Sequence, residues 1–128
     1  MKFFFSLLLI LILSSCSSFN HNEEIKNEAI NIKILEATDN NGMLEEHLLS
    51  RLEEENISHD MKQFIYKKLV DFYINNGDIS SAKFYIDKFD SIENVNIMSA
   101  RVSLYYGDYD KSLMILNKNK PEILSASY

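Results

Sequence analysis

Only three glycines occur in this chain of 128 residues, and each lies between two stretches of helical apolar periodicity. They are Gly42, Gly77 and Gly107, which are 35 and 30 residues apart. Glycine accepts the left-handed backbone conformation that ends a helix and lets the chain reverse direction. Asp78 and Asp108 follow two of the glycines and are placed to cap the next helix by accepting its free N–H groups. The glycines therefore predict the tips of three helical hairpins.

Apolar residues recur at every third or fourth position on both sides of each glycine, which is the pattern of amphipathic helices. In the first hairpin, the stripes predicted to face the core are Ile25, Ala29, Ile32 and Leu35 on one helix and Leu44, Leu48 and Leu52 on the other. In the second hairpin they are Met61, Ile65, Leu69 and Phe72, followed by Ile79, Ala82, Tyr85 and Ile86. In the third they are Ile97, Ala100 or Arg101, and Leu104, followed by Tyr109, Leu113 and Leu116. Ser58 is placed to cap the first helix of the second hairpin. No long alternating strand pattern appears. The sequence predicts an all-α protein in which three antiparallel helical hairpins stack as a short solenoid.

Two of these hairpins resemble tetratricopeptide (TPR) repeats, over about residues 63–118. In that family a Gly-Asp-aromatic turn precedes a small residue that packs closely against the first helix. The segments Gly107-Asp108-Tyr109-Asp110-Lys111-Ser112 and Gly77-Asp78-Ile79-Ser80-Ser81-Ala82 match this turn, and Tyr66, Leu69 and Tyr73 match the family's aromatic-aliphatic-aromatic positions. The resemblance implies a short TPR-like solenoid.

The chain also departs from the TPR pattern. Val70 replaces a small residue, Ser103 replaces an aromatic one, and the 30-residue spacing of the last repeat is short for the family. In the first hairpin His47 stands where alanine is expected. That hairpin is therefore either a decayed repeat or an unrelated helical cap, and residues 119–128 are a candidate cap for the other end. An irregular helical bundle without true repeats is the alternative.

The N-terminus has the organisation of a bacterial export signal. Lys2 precedes an apolar run over residues 3–13, which is about half the length that a membrane-spanning helix needs. The run ends in Leu13-Ser14-Ser15-Cys16, which resembles a lipobox, and Cys16 is the only cysteine of the chain. We expect a signal peptide over 1–15, a lipidated tether over 16–24 and a single helical domain over 25–128. An ordinary secretory signal with an incidental cysteine is the alternative.

The lipobox resemblance implies that Cys16 carries a diacylglycerol and becomes the first residue of the mature protein. Bacterial lipoproteins typically carry three acyl chains, and two or more chains hold a protein stably in a bilayer. Ser17 follows the cysteine in place of Asp, which in proteobacteria favours the outer membrane. The expected location is the cell envelope, at the outer membrane and facing the periplasm.

Composition and motifs narrow the function classes. Lys2 leaves with the signal peptide, so 12 basic residues face 19 acidic ones and the net charge of the mature chain is −7. An acidic chain is a poor candidate for binding nucleic acid. The three histidines, His21, His47 and His59, lack a nearby cluster of ligands, and no catalytic or phosphate-binding motif is present. We expect no metal, no cofactor, no small-molecule substrate and no enzymatic activity.

The resemblance to TPR repeats also implies a site for a protein partner. In that family the first helices of successive repeats line a concave groove that holds partner peptides. The corresponding positions here are Phe64, Lys67, Asp71 and Ile74 in one repeat, and Ile97, Arg101 and Leu104 in the next. The many tyrosines of this region, if partly exposed, suit a protein interface.

The expected function is that of a lipid-anchored adaptor that binds a protein partner on the periplasmic side. By analogy with other small helical lipoproteins, it is an accessory or assembly factor of an envelope or secretion complex. The alternative is an immunity or inhibitor lipoprotein that blocks a toxin or an enzyme in the periplasm. The acidic charge is compatible with that alternative, because toxic nucleases and membrane-active toxins are often basic.

Overall fold

A computed structural model describes residues 22–118, and throughout this range the chain is helical with short turns and no strand. The predicted all-α fold is confirmed. The predicted signal peptide, Cys16 and the candidate C-terminal cap over 119–128 lie outside the described residues. Within 22–118, none of the helices combines the length and the apolar content that crossing a bilayer requires.

Six helices follow one another in this range. Helix α1 covers residues 22–37, so it already includes the last three residues of the predicted tether. The others are α2 (Asn41–Leu52), α3 (His59–Asn75), α4 (Ile79–Ile86), α5 (Ile92–Tyr105) and α6 (Tyr109–Asn117). The chain forms two compact units, the first ending at Met61 and the second beginning at Lys62.

The turns between α3 and α4 and between α5 and α6 have the same conformation. Gly77 and Gly107 have φ angles of 78° and 74°, as predicted. The next residue caps the following helix in both turns, because Asp78 accepts from the Ser81 N–H and Asp108 from the Lys111 N–H, each at 3.1 Å. These contacts satisfy helix N-terminal donors that have no partner inside the helix. The predicted cap at Ser58 is also confirmed, since its hydroxyl accepts from the Met61 N–H at 3.1 Å.

The prediction that Gly42 forms the tip of the first hairpin is wrong. Gly42 lies in the first turn of α2, and the left-handed residue is Asp39, with φ 54°. Asn40 then caps α2 by accepting from the Met43 N–H at 3.2 Å. Aspartate and asparagine tolerate these conformations because their short side chains bond to the local backbone. The residue four positions after the cap, equivalent to Ala82, is therefore the buried Leu44 and not His47.

Asp78 makes the stability of the second unit dependent on pH. The Ser81 hydroxyl donates to its carboxylate at 2.6 Å, and this bond, together with the Ser81 N–H, lowers the pKa of Asp78 below its ordinary value. Since the folded state holds the proton less readily than the unfolded state, this contribution is present above the ordinary aspartate pKa. It is lost as the pH falls through the lower folded-state value.

We expect an Asp78→Asn variant to lose less stability than the wild type on acidification below about pH 4, as measured by urea unfolding. Equal losses in the two proteins would contradict the assignment.

The first unit buries a charged side chain in addition to its apolar residues. Ile32, Leu44 and Leu48 are buried in α1 and α2, as predicted. Glu28 is also buried, and its carboxylate accepts a hydrogen bond from His47 Nε2 at 2.6 Å. The carboxylate lies 3.4 Å from Arg51 Nε. That distance gives charge attraction, but Nε makes no well-directed hydrogen bond.

Arg51 joins three glutamates of the first unit. Besides Glu28, its guanidinium contacts Glu54 and, at 3.2 Å, Glu24. Burial opposes the charge of Arg51, but the contacts with Glu54, Glu28 and Glu24 outweigh it and raise the pKa of the guanidinium above its ordinary value. Glu54 is the middle one of three consecutive exposed glutamates, Glu53 to Glu55, and it therefore forms an ion pair inside the first unit.

The second unit has its core between α3, α4 and α5. Ile65, Leu69, Ile79, Ala82 and Ile86 are buried, as the stripes predicted. Two aromatic contacts join α3 to α4, because the ring of Tyr85 stacks on that of Tyr73 with centroids 5.8 Å apart and lies 5.9 Å from that of Tyr66.

The predicted stripe of the third hairpin is mostly wrong. Ala100 is buried, but Ile97, Leu104, Tyr109, Leu113 and Leu116 are exposed. Instead, the buried positions of α5 and α6 are Met98, Ala100, Val102, Ser103 and Ser112. Ser112 occupies the position of Ala82, four residues after the cap, and both residues are almost inaccessible to solvent.

Candidate functional site

The residues predicted to bind a partner lie on α3 and α5 of the second unit, and one ion pair joins the two helices. Arg101 Nη1 donates to Asp71 Oδ1, and both side chains are partly buried. The same nitrogen lies 3.5 Å from the Met98 sulfur. Asp71 and Arg101 are 30 residues apart in the sequence, and this pairing neutralises two of the three charges that the predicted groove would have offered to a partner, leaving Lys67.

The remaining predicted residues differ in exposure. Phe64 is half-buried with the ammonium of Lys68 5.9 Å from its ring centroid, and Lys67 is exposed. Ile74 is buried and belongs to the core. Ile97 and Leu104 are exposed large apolar side chains on the same side of α5, since seven residues make two helical turns. Of the predicted set, α5 therefore contributes the accessible apolar surface.

A groove of about 200 Å³ lies between α4, α5 and α6, where the sequence did not predict one. Ile86, Val102 and Ile115 are its apolar lining, and Lys83 and Lys111 are exposed beside it. The Lys83 ammonium lies 6.0 Å from the ring centroid of Tyr106, which also lines the groove. The only sequence signal for this groove is the aromatic residue that precedes the Gly107 turn.

Three of the four exposed aromatic side chains in the described part of the chain lie around the same turn. Tyr105, Tyr106 and Tyr109 are exposed, and the rings of Tyr105 and Tyr106 meet edge to face with centroids 5.6 Å apart. Large aromatic side chains that are not needed for the core are common at protein interfaces. This end of the second unit can bury apolar surface against another protein.

Among residues 22–118, no three His, Cys, Asp or Glu side chains converge in a way that could hold a metal ion. The Ser58-His59-Asp60 segment forms the start of α3, where Ser58 acts as a helix cap. Among the described residues, the surface with the clearest capacity for binding is therefore apolar and aromatic. Comparison of the chain with protein-family models, with curated proteins and with solved structures finds no match.

Proposed function

We propose that this protein is a lipid-anchored adaptor that binds a protein partner through its second unit. The observation that carries the proposal is the distribution of exposed apolar side chains. Of the 13 exposed large apolar residues in the described part of the chain, ten lie between α4 and α6. They are Phe84, Ile92, Ile97, Leu104, Tyr105, Tyr106, Tyr109, Leu113, Met114 and Leu116.

Such a concentration supports a binding role. Single exposed apolar residues are common on soluble proteins, but a concentrated apolar region is characteristic of an interaction site. The second unit is also close to electrical neutrality, with eight basic and seven acidic residues over 62–118, so charge repulsion opposes association only weakly. The two TPR-like hairpins of this unit are the part of the chain that the family resemblance connects with protein binding.

The location proposed for this adaptor depends on the N-terminal sequence. The apolar run of residues 3–13 and the lipobox-like Leu13-Ser14-Ser15-Cys16 support export and lipid attachment at Cys16. The absence of Asp after Cys16 supports the outer membrane, with the helical units in the periplasm. In this setting, the adaptor serves as an accessory factor of an envelope or secretion complex.

The anchor is tested by a Cys16→Ser variant. We expect the wild type to incorporate radiolabelled palmitate, and the variant to incorporate none and to be either released or stalled during export, because the diacylglycerol is attached through that sulfur. An Asn20→Gln variant, which keeps the cysteine and changes only the predicted tether, serves as the control for expression. Continued labelling of the Cys16→Ser protein would show that the lipid is attached elsewhere.

Partner binding is tested separately by crosslinking in intact cells. A photoreactive residue at position 113 should capture an envelope protein, whereas the same residue at position 30, on α1, should not. Both positions are exposed. Equal capture at the two positions would overturn the assignment of binding to the second unit.

A second candidate function is favoured by the charge of the first unit. Residues 22–61 contain eleven acidic and three basic residues, so all of the net negative charge lies there. This supports an immunity or inhibitor lipoprotein that neutralises a basic toxin. Deletion of the gene would then sensitise cells to that toxin, whereas loss of an adaptor would instead mislocalise or disable an envelope complex.

A further inference from the structure

The second unit contains two hairpins whose turns lie 30 residues apart. Each residue of the first of these hairpins therefore has a counterpart in the second. Gly77 corresponds to Gly107 and the cap Asp78 to the cap Asp108. The bond from the cap N–H back into the preceding helix also repeats, with Asp78 N–H to Tyr73 C=O and Asp108 N–H to Ser103 C=O, both at 2.9 Å. A residue of α3 or α4 can therefore be compared with the residue 30 positions later in α5 or α6.

Helix α5 covers one side of the α3–α4 hairpin. At the turn, a Cβ atom built on Gly77 would lie 2.8 Å from the Tyr105 hydroxyl. On α3, Asp71 is paired with Arg101. On α4, Ile86 lines the same groove as Val102 and Ser103. The helix thus contacts the turn and both helices of the hairpin that precedes it.

The equivalent side of the α5–α6 hairpin is open in the described chain. Ile74, Ile79 and Ile86 are 8%, 6% and 4% exposed, whereas their counterparts Leu104, Tyr109 and Leu116 are 46%, 68% and 41% exposed. A Cβ built on Gly107 meets no atom within 4 Å, unlike one built on Gly77. All three positions are apolar in both hairpins, so what differs is the helix that covers them.

The edge of the open side is also more apolar than the edge of the covered side. Lys67 and Lys83 of the second hairpin are exposed, and they correspond to Ile97 and Leu113 of the third, which are also exposed. We use the term terminal face for Ile97, Leu104, Tyr109, Leu113 and Leu116. Stacked helical repeats need a polar outer surface where the stack ends. The terminal face has the opposite character and therefore continues the interface that α5 forms with the α3–α4 hairpin.

We propose that the terminal face binds an amphipathic helix of another protein, in the position that α5 holds on the preceding hairpin. The charges beside it define the chemistry of this helix. Glu93 lies one turn before Ile97, Asp110 lies one turn before Leu113, and both are exposed. The nearest basic residue on α5, Arg101, is already paired with Asp71. The complementary partner is an amphipathic helix with basic residues beside its apolar stripe.

This inference rests on the protein-binding part of the proposed function and is independent of the lipid anchor. A negative result here leaves the palmitate labelling of Cys16 unaffected. It also leaves open capture of a partner elsewhere on the second unit, which the same photoreactive residue placed at the exposed position 84, outside the terminal face, detects.

The test uses the full chain in phosphatidylcholine nanodiscs and a fluorescent 16-residue synthetic helix. Its leucines are spaced three and four residues apart, with lysines on both sides of the stripe. A peptide of the same composition, with the leucines distributed around the helix, is the control for nonspecific attraction to an acidic protein. Empty nanodiscs control for binding to lipid. Fluorescence anisotropy gives the affinities, and light scattering gives the oligomeric state.

We expect the amphipathic peptide to bind the wild type at least about tenfold more tightly than the permuted peptide. Leu113→Glu should abolish that preference. Ile30→Glu should leave it unchanged, because Ile30 is 56% exposed against 58% for Leu113 but lies on α1 of the first unit, outside the terminal face. Equal binding by the two variants would overturn the proposal. A wild-type dimer that Leu113→Glu dissociates would also overturn it, in favour of a second copy as the occupant. Tighter binding after removal of residues 119–128 would assign the face to the chain's own C-terminal segment.

Discussion

The Ala82→Trp variant is expected to lose about 3 kcal/mol of the unfolding free energy of the second unit. Ala82 is completely buried, and it lies one turn before Tyr85, whose ring stacks on Tyr73 of α3. No space is left for an indole without displacing α4 from α3. In a unit of this size, such a loss lowers the melting temperature by more than about 12 °C.

Circular dichroism at 222 nm measures this transition, and Ser80→Trp is the matched control. Ser80 is exposed on the same helix, so its indole should remain in water and the melting temperature should stay near the wild-type value. Since the chain has no natural tryptophan, the emission maximum of each variant also reports the surroundings of the new side chain. Equal melting temperatures for the two variants would contradict close packing at Ala82.

The Glu28→Leu variant is expected to destabilise the first unit by about 3 kcal/mol. Removal of the buried carboxylate leaves the Arg51 guanidinium, whose Nε is already without a hydrogen bond, next to an apolar side chain. It also removes the acceptor for His47. Leucine fills much of the volume of glutamate, so the loss is mainly electrostatic and is not due to a cavity.

Two further variants separate that effect from simple loss of an ion pair. Glu24→Leu removes a more exposed partner of the same arginine and should cost less than about 1 kcal/mol. In the double variant Glu28→Leu/Arg51→Met no buried charge is left unpaired, so most of the stability should return. Hydrogen exchange of the α1 and α2 amides measures each value within the first unit. A double variant no more stable than Glu28→Leu alone would rule out the unpaired charge as the cause.

The local features of the fold could be predicted because their causes lie within a few residues. A cap such as Asp78 or Ser58 accepts from an N–H three positions later, so the residue types and their spacing carry the information. The prediction for the first turn is wrong because glycine is the stronger turn signal and Gly42 lies close by. Asp39 adopts the left-handed conformation instead, since aspartate is one of the few residue types other than glycine that do so. This shifted the alignment of the first hairpin by three residues.

The candidate site depended on contacts that periodicity does not specify. Asp71 and Arg101 were both predicted to face a partner, but the packing of α5 beside α3 brings them together. The groove beside Ile86 needs three helices to form. Neither arrangement has a signal in the spacing of a single helix, since each depends on which face of one helix meets another.

The sequence by itself determined the helices, the Gly77 and Gly107 turns and their caps, because these depend on hydrogen bonds between near neighbours. Only the tertiary structure decided which apolar residues are covered. Ile79 and Tyr109 hold the same position in consecutive hairpins, yet one is buried and the other exposed. The physical reason is that burial requires a second element to remove the side chain from water. Helix α5 provides that cover for the α3–α4 hairpin, and no helix in the described chain provides it for the terminal face.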